Sequence, residues 1–253
     1  MIDVSLDRAF VLPIYYDMLP DLAPDHALFL DMDGTLLDFA PTPAEVIVPP
    51  GLPALLADLA AQREGAMAIL SGRTMADIDG VTGTILPAGA EHGFLCRDAA
   101  GVIHRPITLS ANRPEWRAAL RDAAVRMPGV AIEEKTYTLV AHFRRAPEHG
   151  PALRMLIEHF IEGELDIEIL PANMAWEIRP VGAGKGRALD WFMQQAPFRG
   201  RVPVFVGDDT TDEAAIDAAN ARGGIGLHVH RDFDGTTASV RAWLARAVKG
   251  VLR

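Results

Sequence analysis

The sequence predicts an α/β protein built on a doubly wound parallel sheet, interrupted by a second, α+β unit. Three observations carry this. Apolar runs at 27–30, 66–70 and 202–206 lack the polar alternation of a one-sided sheet, so each reads as a strand buried on both faces. Helical patterns separate such runs, which requires parallel strands joined by right-handed crossovers. From about 108 to 180 the pattern changes to helix, hairpin, helix, hairpin, which does not continue a parallel sheet.

In chain order, residues 1–26 hold Pro13, Pro20 and Pro24 and read as a short helix or irregular lead-in. The first strand, Ala27 to Leu30, runs straight into Asp31, Asp33, Gly34 and Thr35. Residues 38–50 contain Pro41, Pro43, Pro49 and Pro50 and read as a loop over the acid pair. Leu52, Leu55, Leu56 and Leu59 recur at helical spacing. The second strand, Ala66 to Leu70, ends in Ser71-Gly72-Arg73; a short helix around Thr74 to Ile78 and a strand near Thr84 to Pro87 follow. In the second unit, Asn112 with Glu115 forms an N-cap pair for a helix that presents Trp116, Leu120 and Ala124. Two strands are expected at Val130–Glu134 and Tyr137–Arg144. In the latter, Leu139, Ala141 and Phe143 share one face, and Val140, His142 and Arg144 the other. A helix with Leu153, Leu156, Ile157, Phe160 and Ile161 in register precedes strands at Asp166–Leu170 and Ala175–Ile178. After Pro180 the α/β pattern resumes. Gly182 to Gly186 opens a helix, Val202 to Val206 is a strand ending in Gly207-Asp208-Asp209-Thr210-Thr211-Asp212-Glu213, and a short helix, a strand near Gly226 to Val229 and a final helix close the chain. The expected division is a discontinuous core, 1–107 and 181–253, with an inserted domain at 108–180.

At 253 residues the chain buries a large core in one or two domains. Its net charge of −10 and pI near 5.2 argue against a general binder of nucleic acid or anionic membranes, though not against an anionic substrate held by a local cation. The single cysteine, Cys96, forbids an internal disulfide, suits a reducing compartment and reads as a small buried apolar residue. No apolar stretch approaches the ~18 residues of a membrane span. Asp3 and Asp7 stand where a signal peptide would carry its basic region, so the cytoplasm is the expected location.

Ligands of a doubly wound sheet sit beyond the carboxyl ends of its strands. Three polar clusters lie there: Asp31/Asp33/Thr35, Ser71/Arg73 and Asp208/Asp209/Asp212, with Lys185 at the start of a helix. Carboxylates at a buried strand end repel one another and resist burial unless a cation compensates them. Clustered carboxylates make a hard-cation site suited to Mg²⁺. Hydroxyls, backbone N–H groups and a Lys suit phosphate oxygens. These are the parts of a phosphoryl-transfer site, in which an Asp can serve as nucleophile. Plainer readings stand beside each piece: an Asp-Gly turn at 33–34, a Ser-Gly turn at 71–72, a solvated Lys185, and helix capping by 208–213. Four acids in six residues exceed what capping requires. A phosphate-binding P-loop is excluded, because Arg179 and Gly186 stand where that pattern needs Gly and Ser/Thr.

Asp31-Met-Asp-Gly-Thr35, Ser71-Gly-Arg73, Lys185 and Gly207-Asp-Asp-Thr-Thr-Asp-Glu213 resemble, in order, the four motifs of the haloacid-dehalogenase superfamily of Mg²⁺-dependent phosphatases. Within it the chain resembles the trehalose-6-phosphate phosphatase family over nearly its whole length. The supporting stretches are Gly89-Ala-Glu-His-Gly93, Glu134-Lys135 with His142-Phe-Arg144, and Trp176-Glu-Ile-Arg-Pro180 leading into Gly184-Lys-Gly186. The resemblance implies a Rossmann-like core with 108–180 as its cap, and hydrolysis of trehalose 6-phosphate through an aspartyl phosphate. It makes Asp31 the nucleophile and Asp33 the acid and base. Mg²⁺ falls to Asp31, the Asp33 backbone carbonyl and Asp208, with Asp212 and Asp209 in support. Ser71 and Lys185 hold the phosphate, with Thr35, Gly72, Arg73 and Glu91 completing the pocket. Lys135, His142, Arg144 and Glu177 of the cap take the disaccharide. Phe143 stands where family members commonly carry Tyr, on the other face of its strand. The expected partner is a small phosphosugar, with no nucleic acid or membrane and a monomer as the assembly. Two competing readings remain: a phosphatase for another sugar phosphate, of the sucrose 6-phosphate or mannosyl-phosphoglycerate type, and a non-catalytic sugar-phosphate-binding regulator.

Overall fold

The structure, a computed structural model, describes residues 19–40, 45–106, 114–135 and 138–250. The expectations for residues 1–18, Pro41, Pro43, the Asn112 cap and Tyr137 lie outside these residues, as does the side chain of Trp116.

The first half of the chain forms β1 (His26–Leu30), α1 (Leu52–Gln62), β2 (Met67–Leu70), α2 (Met75–Thr82), β3 (Ala88–Ala90), β4 (Leu95–Arg97) and β5 (Ile103–His104). A second group follows: α3 (Pro114–Val125), β6 (Ala131–Glu134), β7 (Leu139–His142), α4 (Gly150–Phe160), β8 (Ile167–Ala172) and β9 (Ala175–Pro180). The chain closes with α5 (Lys185–Phe192), β10 (Val202–Gly207), α6 (Glu213–Ala221), β11 (Ile225–His228), α7 (Val229–Asp232) and α8 (Thr237–Gly250).

The larger sheet has the order β11-β10-β1-β2-β3-β4-β5, parallel from β11 to β3 and antiparallel beyond. Both faces are covered. Leu28, Leu30, Met67, Ile69, Val204 and Val206 pack with Leu56 and Leu59 of α1, Ile78 of α2 and Trp243 of α8. The alternate residues Ala27, Phe29, Ala68, Leu70 and Phe205 pack with Leu189 and Phe192 of α5 and Ile216 of α6. A strand apolar at every position has to be buried on both sides, and the continuous run of β1 reflects that. The connections leave β1 in opposite directions, toward β2 and toward β10, so the topological switch lies between β1 and β10. Leu30 pairs with Val206 and with Ile69, which brings the residues after β1, β10 and β2 together at one edge.

The smaller sheet, β6-β7-β9-β8, is antiparallel throughout. Leu139, Ala141 and Ile178 bury against Leu120 of α3 and against Leu153 and Ile157 of α4, with Phe143 packed beside them. The opposite face carries Glu133, Val140 and Glu177 in one cross-strand row.

Beyond shifts of one or two residues at strand ends, these elements differ most from the sequence reading. The strand expected at Thr84–Pro87 is β3, Ala88–Ala90; Pro87 has no N–H to donate, and only its carbonyl pairs, with Ile69 N at 3.0 Å. The hairpin β4–β5 was not expected. The strand expected to reach Arg144 ends at His142, and Arg144 lies in the following turn. The helix begun at Thr74 runs on to Thr82, with the Thr74 side chain accepting from Asp77 N. No helix among the described residues is long and apolar enough to cross a membrane.

Candidate active site

The switch point places Asp31, at the end of β1, beside Asp208, at the end of β10. The third acid, Asp212, comes back to them from the start of α6. Ligand oxygens of these buried carboxylates lie within 4.8 Å of one another. Lys185, the first residue of α5, enters from the facing side. Its Nζ donates to Asp31 Oδ1 and to Asp212 Oδ1, both at 2.6 Å. Thr35 Oγ1 donates to Asp31 Oδ2 at 3.0 Å. The second oxygen of Asp212 accepts from the backbone N–H groups of Asp208 (3.0 Å) and Asp209 (3.2 Å), so Asp212 also fixes the loop that carries Asp208. Gly34 is required here: its φ is +82°, and a Cβ would sit 2.1 Å from Asp208 Oδ2.

Three buried carboxylates thus share one buried ammonium, an excess of two negative charges. Burial pushes Asp31 up to about 7, with Lys185 opposing and Asp208 adding to the rise. Asp212 goes up to about 7 through burial and the charge of Asp31, and Asp208 to about 6 through burial and then Asp209 and Asp212. Burial alone would lower Lys185; Asp31 and Asp212 outweigh it and hold the ammonium charged. An all-oxygen set with surplus negative charge fits a hard divalent cation.

A cavity of about 290 Å³ opens over this cluster. Asp31, Asp33, Ser71, Gly72, Arg73, Lys135, Lys185 and Asp209 line it, all expected from sequence. Phe39 and Val46 form an apolar side, in keeping with the expected loop over the acids. Asp33 stands outside the carboxylate cluster, and Arg73 grips it with two bonds of 2.7 Å, Nε to Oδ2 and Nη2 to Oδ1. Ser71 Oγ accepts from Arg73 N at 3.2 Å. Asp209 is exposed and turns its Oδ1 to Thr211, away from the cluster. From the smaller sheet, Lys135 Nζ donates to Gly72 O at 2.7 Å, tying the two sheets together. Glu91 is buried and accepts from Thr138 N at 3.2 Å and from its hydroxyl at 3.4 Å. Glu177 lies 3.0 Å from His92; burial would raise its carboxyl, but His92, Lys135 and Arg179 bring it down to about 2. His142 pairs with Glu133 at 2.9 Å and does not line the cavity, and neither does the buried Glu177, beside His92, nor Arg144, exposed beyond the end of β7. Four polar residues of the cavity lining, Asp77, His92, Glu133 and Thr211, were not among the expected site residues. Glu133 was legible by alternation: in β6 it takes the face opposite to Ile132, which packs on the core of the smaller sheet.

Residues 29–246 match the family model described as trehalose-phosphatase. The chain is 34% identical over 233 residues to the trehalose-6-phosphate phosphatase of Escherichia coli (strain K12), covering 92% of this chain and 86% of that one. It is 36% identical over 241 residues to a probable trehalose-phosphate phosphatase of Sinorhizobium fredii, covering 93% and 91%. Among solved structures it is similar to a trehalose-6-phosphate phosphatase related protein, with a TM-score of 0.71 over 89% of this chain and 98% of that one; at 23% identity this likeness concerns the fold.

Proposed function

The chain belongs to the trehalose-phosphatase family, and on that premise we propose the route by which it hydrolyses trehalose 6-phosphate. The observation that carries the route is the buried Lys185, bridging Asp31 and Asp212 at the floor of the cavity. Lys185 opposes the rise that burial gives Asp31 and so favours its ionised form, which a nucleophile requires. Asp31 attacks the phosphorus, the bond to the sugar oxygen breaks, and Asp33 gives that oxygen its proton. Asp33 then takes a proton from water as the water oxygen attacks the same phosphorus, freeing phosphate and restoring Asp31. The Arg73 fork orients Asp33 for both transfers, so Arg73 acts through Asp33 as well as on the phosphate. Ser71 and Lys185 hold the phosphate oxygens.

The cation would be Mg²⁺, which Asp31 and Asp208 would hold together with the Asp33 backbone carbonyl, with Asp212 in support; the grouping of the three acids supports this. When bound it supplies positive charge to the phosphate oxygens and balances the buried carboxylates. Residues 1–107 and 181–253 form the catalytic core, and 108–180 the cap that selects the sugar through Lys135 and Glu177. The protein works as a cytoplasmic monomer.

Phosphate release from a panel of sugar phosphates with Mg²⁺ tests this reading. Trehalose 6-phosphate is expected to lead in kcat/KM. Sucrose 6-phosphate or a mannosyl-phosphoglycerate ranking above it would move the substrate. Binding without release would make the protein a regulator.

A further inference from the structure

His92 sits at the seam between the two sheets. It is over nine-tenths buried and lines the cavity with Asp31, Asp33 and Lys185. Its Nε2 stands 3.0 Å from Glu177 Oε1 on β9. That contact is off the line a hydrogen bond needs: Glu177 Oε1 has no aligned donor, and His92 Nδ1 has no aligned partner either, although both atoms are buried. Buried polar atoms lose their hydration, and leaving them without hydrogen bonds is a cost that native structures seldom carry without a use.

The backbone is arranged to hold the ring there. Glu91 and His92 have φ of 48° and 58°, consecutive left-handed residues that are not glycine. The Glu91 carboxylate is anchored by Thr138. The loop after β2 makes room for the ring at Gly72, where a Cβ would lie 2.6 Å from His92 Nε2. Strain, a glycine-sized recess and unfilled bonding capacity thus meet at His92 on the cavity wall, with the buried Glu177 carboxylate of the smaller sheet, which does not itself line the cavity, directly beside it.

We propose that His92 and Glu177 together read one hydroxyl of the sugar, which makes His92 a specificity-determining residue. A hydroxyl is at once donor and acceptor. Its proton goes to Glu177 Oε1, and its oxygen takes the N–H of His92 Nε2. The pair suits a polyol better than a phosphate, which Glu177 repels. This rests on the reading of the site as a trehalose-6-phosphate phosphatase with Glu177 on the sugar.

The test is a double-mutant cycle on the full-length, Mg²⁺-loaded enzyme, following KM and kcat for trehalose 6-phosphate and, by calorimetry, the affinity for trehalose. His92→Asn is chosen because Asn tolerates the left-handed φ; His92→Gln replaces it if the melting midpoint falls by more than ~5 °C. His92→Asn and Glu177→Gln should each raise KM and weaken trehalose binding by about tenfold, with kcat changed by less than about threefold. The double variant should be within about twofold of Glu177→Gln alone, because both variants break the same bridge. If Glu177→Gln leaves KM and trehalose binding unchanged, the sugar-site reading fails and the proposal falls with it. If Glu177→Gln behaves as expected while His92→Asn is silent or its effect multiplies, the proposal alone is overturned.

Discussion

Replacing Lys185 by Met removes the ammonium that Asp31 and Asp212 share. The two contacts are 2.6 Å each, and the side chains are no more than 4% exposed. Met keeps most of the volume, so the cost is electrostatic, with little from a cavity. Deleting one partner of a buried ion pair costs about 3–5 kcal/mol, because the remaining charge stays desolvated. Here the remaining charges can neutralise. Burial already pushes Asp31 and Asp212 up to about 7 with Lys185 in place, and losing the Lys raises them further. A carboxyl whose folded pKa lies above its unfolded value favours folding fully below the unfolded value and loses that contribution as pH rises through the folded one. The deficit of Lys185→Met against wild type should therefore be about 3–5 kcal/mol near pH 8 and less than about half of that near pH 4. Urea unfolding in EDTA at both pH values measures it. A deficit below about 1 kcal/mol at pH 8, or one equal at the two pH values, would refute the argument that Lys185 compensates two buried carboxylates.

Two further outcomes bear on the acid cluster. Gly34→Ala forces a Cβ to within 2.1 Å of Asp208 Oδ2 at a φ of +82°. It should weaken Mg²⁺ by at least about tenfold in a calorimetric titration and cost about 2 kcal/mol in urea unfolding; Mg²⁺ affinity within about twofold of wild type would contradict this. In EDTA the raised acids Asp31, Asp208 and Asp212 favour folding at low pH and lose that contribution as pH rises through about 6 to 7, whereas a bound cation needs them deprotonated. The gap between melting midpoints with Mg²⁺ and with EDTA should widen as pH rises from about 5 to about 8, and a gap constant over that span would count against these acids as the ligands.

Much of the site was legible in the sequence because it hangs on the most legible strands. β1, β2 and β10 are continuous apolar runs, and in a doubly wound sheet such strands adjoin with their carboxyl ends on one edge. Asp31, Ser71 and Asp208 could therefore be grouped before any contact was known. What stayed hidden was fixed by tertiary contacts or by segments too short to show a period. β4 and β5 have three and two residues, and α7 has four. β3 is Ala-Gly-Ala, which carries no strand propensity and forms because β2 pairs with it. Alternation was carried two residues too far in β7, so Arg144 was placed on a strand face when it lies in a turn. The grip of Arg73 on Asp33 links residues forty positions apart. His92 owes its place to a left-handed backbone and to a glycine on another loop, neither of which leaves a periodic trace.

The central claim is that Asp31 takes the phosphoryl group. Acid-quenched mass spectrometry of Asp33→Asn, mixed with trehalose 6-phosphate and Mg²⁺, tests it most directly. Asp33→Asn slows formation of the intermediate, which Asp33 assists as acid, but also removes the base that hydrolyses it, so over a long incubation the peptide spanning β1 should carry one phosphoryl group on Asp31, absent when EDTA is present. A phosphoryl group on another residue, or none on any peptide while the variant still turns over, would contradict the account.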